Sequence, residues 1–235
     1  MRKNPAPNGP SWFEVIFGAV LSVALGGVLG LLLLAFAPVT VVKALPSEEE
    51  RDPKAVYFVE GSRESNKARN APAKRAAFLD GQSVTLSEDE LNVLAGPPTP
   101  FHRPKPAPAK PGAPPPPPPA TPAKADEDTL TMGTANFRLQ SDKIQIAVPV
   151  TVNLLGLGQK IVVQSEGAFV KHGDLFAYDP ATLFIGACPV HRVPYLSSYA
   201  REKVLAQKIP DPLAASWAKL ANVTVEDKTL RLKMP

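Results

Sequence analysis

Cysteine is almost missing from this chain: among 235 residues only Cys188 carries a thiol. An internal disulfide is excluded, so any exported domain must be held by its apolar core. Cys188 follows the apolar run Phe184 to Ala187, the setting of a buried structural thiol rather than a reactive one. It also lies far from the amino terminus, which excludes lipoprotein acylation. Histidine is scarce as well. His102, His172 and His191 stand apart, and no HxxxH, CxxC or HExxH spacing supplies a metal with a second ligand. There is no Gly-x-Ser-x-Gly elbow, Ser197-Ser198 falls on an expected helix without a nearby base, and Gly156-Leu157-Gly158 lacks the rest of a phosphate-binding loop. Asp174 and Asp179 are candidate paired carboxylates, but Asp179-Pro180 reads better as turn chemistry. These absences argue against an enzyme and call for no cofactor and no metal.

A basic stripe is lacking too. The formal charge of +4 is spread along the chain. Lys67, Arg69, Lys74 and Arg75 form the densest basic group, with no aromatic residue among them. A nucleic-acid surface would need such a patch on a recognisable module. The group reads as a solvated helix face, and no nucleic-acid partner is expected.

What the chain has in abundance is one apolar run. From Val15 to Val42 there is no charged residue, and about 20 apolar residues suffice to span a bilayer. The expectation is a transmembrane helix over 15–42 behind a cytoplasmic stretch, 1–14. Arg2 and Lys3 precede the run and Glu48 to Glu50 follow it; positive charge favours the cytoplasmic side. The chain then enters the inner (cytoplasmic) membrane once, amino terminus inside, with the remainder extracytoplasmic. Trp12 and Phe13 stand where interfacial aromatic anchors belong. A cleaved signal peptide is the competing reading. Its apolar core would be 7–15 residues, shorter than this run, although Ala35-Phe36-Ala37 imitates a cleavage site. Gly26 and Gly30 give a small-xxx-small spacing, which a glycine-rich span produces without any need for dimerisation.

Residues 43–95 read as the first part of an extracytoplasmic domain. Tyr57-Phe58-Val59 is a short apolar patch, and Ala71 to Leu79 reads as helix after its proline. Ser83 to Leu86 reads as a strand. Ser87 then caps a helix, with Glu90 three residues on as a capping box. Leu91 and Leu94 face inward, and Gly96-Pro97-Pro98 ends the helix. Residues 96–128 depart from globular composition, with Pro114 to Pro119 unbroken. Such a tract favours extended polyproline II and buries no core, so a disordered insert or linker is expected.

Residues 129–235 carry the clearest alternation. Asn136 to Gln140 and Lys143 to Val152 have period 2, placing Ile144, Ile146, Val148, Val150 and Val152 on one face. Pro149, on the other parity, suggests an edge strand or a bulge. Gln159 to Val170 returns as a strand after a loop at Asn153 to Gly158, and Leu175 to Tyr178 continues beyond a turn at His172 to Asp174. Helices at Tyr195 to Gln207, with Leu196, Tyr199, Ala200 and Val204 in one stripe, and around Leu213, Trp217 and Leu220 are the expected cover. Asn222 to Glu226 and Thr229 to Met234 close the chain as a hairpin. The fold class is α+β: a single amino-terminal transmembrane helix, then a curved antiparallel sheet packed on helices, interrupted by the proline-rich tract.

Four features are familiar together: one anchor, the Leu86-Ser-Glu-Asp-Glu-Leu-Asn92 helix start, the Leu183 to Pro189 approach to a helix, and the Lys208 to Pro212 break before a closing hairpin. The chain resembles the YpmS-like membrane-anchored proteins of unknown function and, more distantly, the tubular lipid-binding (TULIP-like) folds. The resemblance spans residues 1–95 and 130–235; the proline tract departs from it. It implies lipid or hydrophobic-ligand handling outside the membrane. An apolar sheet face only partly covered by a helix leaves a groove for acyl chains, lined by Phe137, Leu139, Ile144, Ile146 and Val148. The plain alternative for each of them is ordinary core. The rival function is a structural or energy-transducing envelope protein, TonB-like, with a proline-rich spacer and a carboxy-terminal domain that binds a protein partner. The two differ in whether residues 45–95 pack on 130–235.

Overall fold

The computed structural model describes residues 11–52, 55–97, 130–154, 157–206 and 209–235. The proline-rich tract lies outside the described residues except for Gly96 and Pro97. The architecture is α+β: one apolar helix, α1 (Trp12–Phe36), leads into a domain built on a curved antiparallel sheet.

The start of α1 is written locally. The Ser11 hydroxyl accepts from the Glu14 amide, and the Glu14 carboxylate accepts from the Ser11 amide at 2.8 Å, so two orphan donors are satisfied. None of its 25 residues is buried, and it is long and apolar enough to cross a membrane. Its carboxy-terminal limit differs from the expected span of 15–42. The helix stops at Phe36, and β1 (Thr40–Val42) pairs in parallel with β2 (Tyr57–Val59). Pro38 brings no amide proton to continue the helix, and the β-branched run Val39 to Val42 suits an extended strand.

The segment between β2 and the proline tract supplies α2 (Ala71–Leu79), β3 (Val84–Ser87) and α3 (Glu88–Leu94). The carboxy-terminal region supplies β4 (Leu130–Met132), β5 (Asn136–Leu139), β6 (Ile144–Leu154), β7 (Leu157–His172), β8 (Leu175–Ile185) and β9 (Cys188–Pro189). After a 3₁₀ turn at Val190–Arg192 come α4 (Leu196–Leu205), α5 (Leu213–Trp217), β10 (Asn222–Glu226) and β11 (Thr229–Lys233). Strands β4 and β5 share one side of β6, and β6, β7, β8 and β9 follow in antiparallel order. The closing hairpin does not extend this sheet. It pairs with β3 from the far side of the proline tract, Leu230 opposite Leu86 and Leu232 opposite Val84.

The two sheets close one core. Val84, Leu86, Val223, Val225, Leu230 and Leu232 pack with Phe78 of α2 and with Leu139 and Ile144 of the larger sheet. The other face of that sheet is covered by the first strand pair: Phe58 and Val39 bury Ala147 and Val162. Phe58 is fully buried.

Three local expectations change. Helix α4 has no buried residue, so the predicted cover comes from the three-stranded sheet and α5 instead. Only α5 and its flank do what was expected, with Leu213 and Trp217 packed against the core and Leu220 within it. Strand β6 is interior, not an edge. The Pro149 carbonyl accepts from Gly133 at 2.7 Å, so its proton-less nitrogen faces the same side, where β4 has ended and β5 has not begun. Finally, Asp179-Pro180 is not a turn but part of β8. The register shifts between Glu166 and Gly167, leaving Ala181 as an extra residue opposite them. This bulge accommodates the proline, and a Cβ at Gly167 would lie 2.1 Å from the Asp179 carbonyl oxygen.

Candidate functional site

Residues directly opposite one another on paired strands project to the same face, which settles where the predicted groove residues sit. Leu139 faces Ile144, and Phe137 faces Ile146. Leu139 and Ile144 are buried in the core between the sheets, with Phe137 and Ile146 partly buried against it. Along the same face, Val148 lies opposite Val163, which lies opposite Ile185; Ile146, Ser165 and Leu183 form the neighbouring row. Val148, Val163, Leu183 and Ile185 are all half-buried. The face is thus half-buried across Val148, Val163, Leu183 and Ile185, between the closed core at Leu139 and Ile144 and Val150, which is buried again.

Period 2 shows which residues of one strand share a face, but the row Val148–Val163–Ile185 depends on register between strands. That is why Val163, Leu183 and Ile185 escape a reading of single strands. The sequence marks Val163 only as part of the strand expected over Gln159 to Val170.

Beside this face, at the free side of β8, a cleft of ≈ 470 Å³ is lined by Asp179, Pro180, Leu183, His191, Ser198 and Arg201, among others. Leu183 belongs to both the cleft and the apolar row. The Arg201 guanidinium holds the Asp179 carboxylate through two nitrogens, Nε at 2.6 Å from Oδ1. That hydrogen bond and the attraction of the carboxylate raise the Arg201 pKa above its ordinary value. His191 is committed: its Nδ1 lies 3.0 Å from the Leu183 carbonyl oxygen, and its ring meets Phe184 edge-on. No family model, curated protein or solved structure matches this chain. Its function has to be argued from the geometry.

The Leu86 to Asn92 segment proves to be a hub of backbone capture. Asn92 is fully buried, and its side-chain amide takes the place of a neighbouring strand: Oδ1 accepts from the Phe137 amide and Nδ2 donates to the Phe137 carbonyl, both at 2.7 Å. Nδ2 also donates to the Ser62 carbonyl at 2.8 Å. Asn136 answers in kind, its Oδ1 accepting from the Gly61 amide at 2.8 Å. Glu88 accepts from the Leu139 amide, and Asp89 accepts from the Ser62 hydroxyl and the Glu64 amide. Glu90 completes the predicted capping box with Ser87 and also pairs with Lys74 at 2.7 Å. These carboxylates are occupied by local donors. Gly61 is required here, since a Cβ would lie 1.9 Å from the Phe137 carbonyl oxygen.

The basic group reads differently once its partners are known. Lys74 is held by Glu90 and the Thr85 carbonyl, Lys67 by Glu64, and Arg69 donates to Asn66. Cys188 is buried, and burial pushes its thiol pKa up. Among the described residues no group of three or more His, Cys, Asp or Glu side chains is placed to hold a metal ion.

The end of α1 joins the domain at this same level. The Ala187 amide donates to the Leu34 carbonyl at 3.0 Å, a last-turn acceptor that the Ala37 amide also uses. Gly186 has a φ of +58°, and a Cβ there would lie 2.1 Å from the Ala35 carbonyl oxygen. Gly186 directly follows Ile185, the last member of the apolar row.

Proposed function

We propose that this is a single-pass inner-membrane protein, amino terminus inside, whose extracytoplasmic domain binds a lipid acyl chain without catalysing a reaction. The observation that carries the reading is the half-buried apolar row of Val148, Val163 and Ile185, whose last member directly precedes Gly186, where the end of α1 packs. An acyl chain leaving the outer half of the bilayer meets this row first. Laying a chain against it removes apolar surface of both partners from water, at roughly 25 cal/mol per Å². The polar cleft with Arg201 and Ser198, which shares Leu183, would sit beside the headgroup.

Pairing of β3 with β11 across the proline tract supports this reading over an energy transducer, because the part before the tract and the part after it build one core. On this view the relationship to YpmS-like and tubular lipid-binding proteins lies in the apolar sheet face, and the residues that matter are its half-open members rather than Leu139 and Ile144.

Photo-crosslinking tests it. The full chain is placed in nanodiscs containing phosphatidylcholine with a diazirine near the acyl terminus, illuminated, and digested for mass spectrometry. Crosslinks are expected on peptides of β6 to β8, and Val163→Glu should reduce them several-fold while crosslinks to α1 persist as an internal standard. Labelling confined to α1 overturns the proposal.

A further inference from the structure

We propose that the first turn of α4, with Tyr195, Leu196 and Tyr199, rests in the headgroup layer of the same bilayer that α1 crosses. The inference rests on α1 being a membrane span, but not on a lipid occupying the sheet.

The position follows from connectivity. The β8–β9 turn is fastened to the last turn of α1 by the Ala187–Leu34 hydrogen bond and by the close approach of Gly186 to Ala35. From that turn β8 runs back at about 3.3 Å per residue, so Ile185 and Leu183 are near the membrane end and Asp179 is roughly 20 Å from Ile185. Helix α4 lies along this strand in the opposite sense. It starts just after His191, which bonds the backbone of Leu183, and it reaches Asp179 with Arg201. Its first turn is therefore its membrane-proximal end.

The side chains there are those of an interface. Tyr195 is 90 % exposed, Tyr199 58 % and Leu196 39 %, while Ala200, Val204 and Leu205 of the same helix are only half-buried. Large side chains gathered in this way mark an interaction surface. Tyrosine rings concentrate at the headgroup level, apolar body inward and hydroxyl in water. Cations accompany them: Arg192 is exposed, and Lys203 lies 5.4 Å from the centre of the Tyr199 ring. Basic side chains beside a membrane are attracted to anionic headgroups. The backbone presents Tyr195 outward at some cost, since its φ is +63° without glycine's freedom. Headgroups of the adjoining leaflet are the occupant that this position and chemistry fit.

The test uses the full chain in nanodiscs of phosphatidylcholine and phosphatidylglycerol. In a Cys188→Ala background, spin labels are attached at Leu25→Cys within α1, at Tyr195→Cys, and at Asp227→Cys on the β10–β11 turn. The ratio of oxygen to nickel-chelate accessibility reads depth. A ratio at position 195 several-fold above that at 227, and below that at 25, is the expected result. Equal ratios at 195 and 227 with a membrane-like value at 25 overturn the proposal and leave the span intact. A water-like value at 25 removes the span, and the proposal falls with it. A second measurement needs no substitution. In the tyrosine-labelled chain, nitroxide on the lipid headgroups should broaden the Tyr195 and Tyr199 ring signals and spare Tyr178; uniformly sharp signals overturn the proposal.

Discussion

A side-chain amide that stands in for a β-strand is a demanding way to finish a sheet edge, because it leaves no slack for substitution. Asn92 is fully buried and satisfies both the amide and the carbonyl of Phe137. Asn92→Ala strands those groups together with the Ser62 carbonyl, at about 1–3 kcal/mol per unsatisfied buried group. A total loss of about 3 kcal/mol is expected in thermal or urea unfolding. Asn92→Asp should be at least as harmful, since its carboxylate would face two carbonyl oxygens. Tyr178 yields a pH effect. Burial, opposed by its hydrogen bond to Ser165, raises its pKa from the ordinary value near 10 to about 12. In that window the unfolded chain has released the proton and the folded chain has not, so stability falls as pH rises from 10 to about 12. The slope is up to about 1.4 kcal/mol per pH unit, and below pH 10 the group contributes no dependence. Unfolding followed across this range should show a shallower alkaline loss for Tyr178→Phe.

At the level of elements, the first strand pair is a lid on the reverse face of the large sheet. Truncating Phe58 to Ala empties a fully buried site between β2 and Ala147 and Val162. A loss of about 3–5 kcal/mol is expected, with hydrogen exchange accelerated first in β1 and β2. Much at this scale was legible because its causes are local. Ser87 and Glu90 announce their capping box within four residues, Ala71 to Leu79 is helical as expected, and alternation identified β5, β6, β10 and β11 as strands. What was not legible depends on distant partners. Nothing near Asn92 reveals that Phe137 waits 45 residues away. Pro149 looks like an edge residue because periodicity cannot report a gap between β4 and β5. The stripe on α4 has the spacing of a core-facing helix, but the three-stranded sheet and α5 already fill the core. For the candidate site, alternation placed Ile146 and Val148 on one face correctly, whereas register alone brings Val163 and Ile185 beside them.

For the whole molecule, the hairpin that ends the chain completes a sheet begun before the proline tract, so both ends of the tract are held by one domain. The tract then closes a loop, and loop-closure entropy varies only with the logarithm of length. Replacing residues 100–127 with a short Gly-Ser linker that still spans the gap is expected to preserve the near-ultraviolet circular dichroism of the domain and its unfolding midpoint within a few degrees. Unfolding on excision would show that the tract is part of the core.

The docking of Leu34 and Ala35 onto Gly186 and Ala187 carries a mechanical corollary. A helix of 25 residues is about 37 Å long at 1.5 Å per residue, more than the roughly 30 Å of hydrocarbon in an average bilayer. In a bilayer spanned by this helix, such a mismatch is relieved by tilting, kinking or local thickening. With its last turn clamped, the helix cannot lean without turning the domain with it. On the proposed reading of α1 as a span, bilayer thickness becomes a steering input, and the angle at which the sheet meets the surface follows the composition of the lipids around the helix.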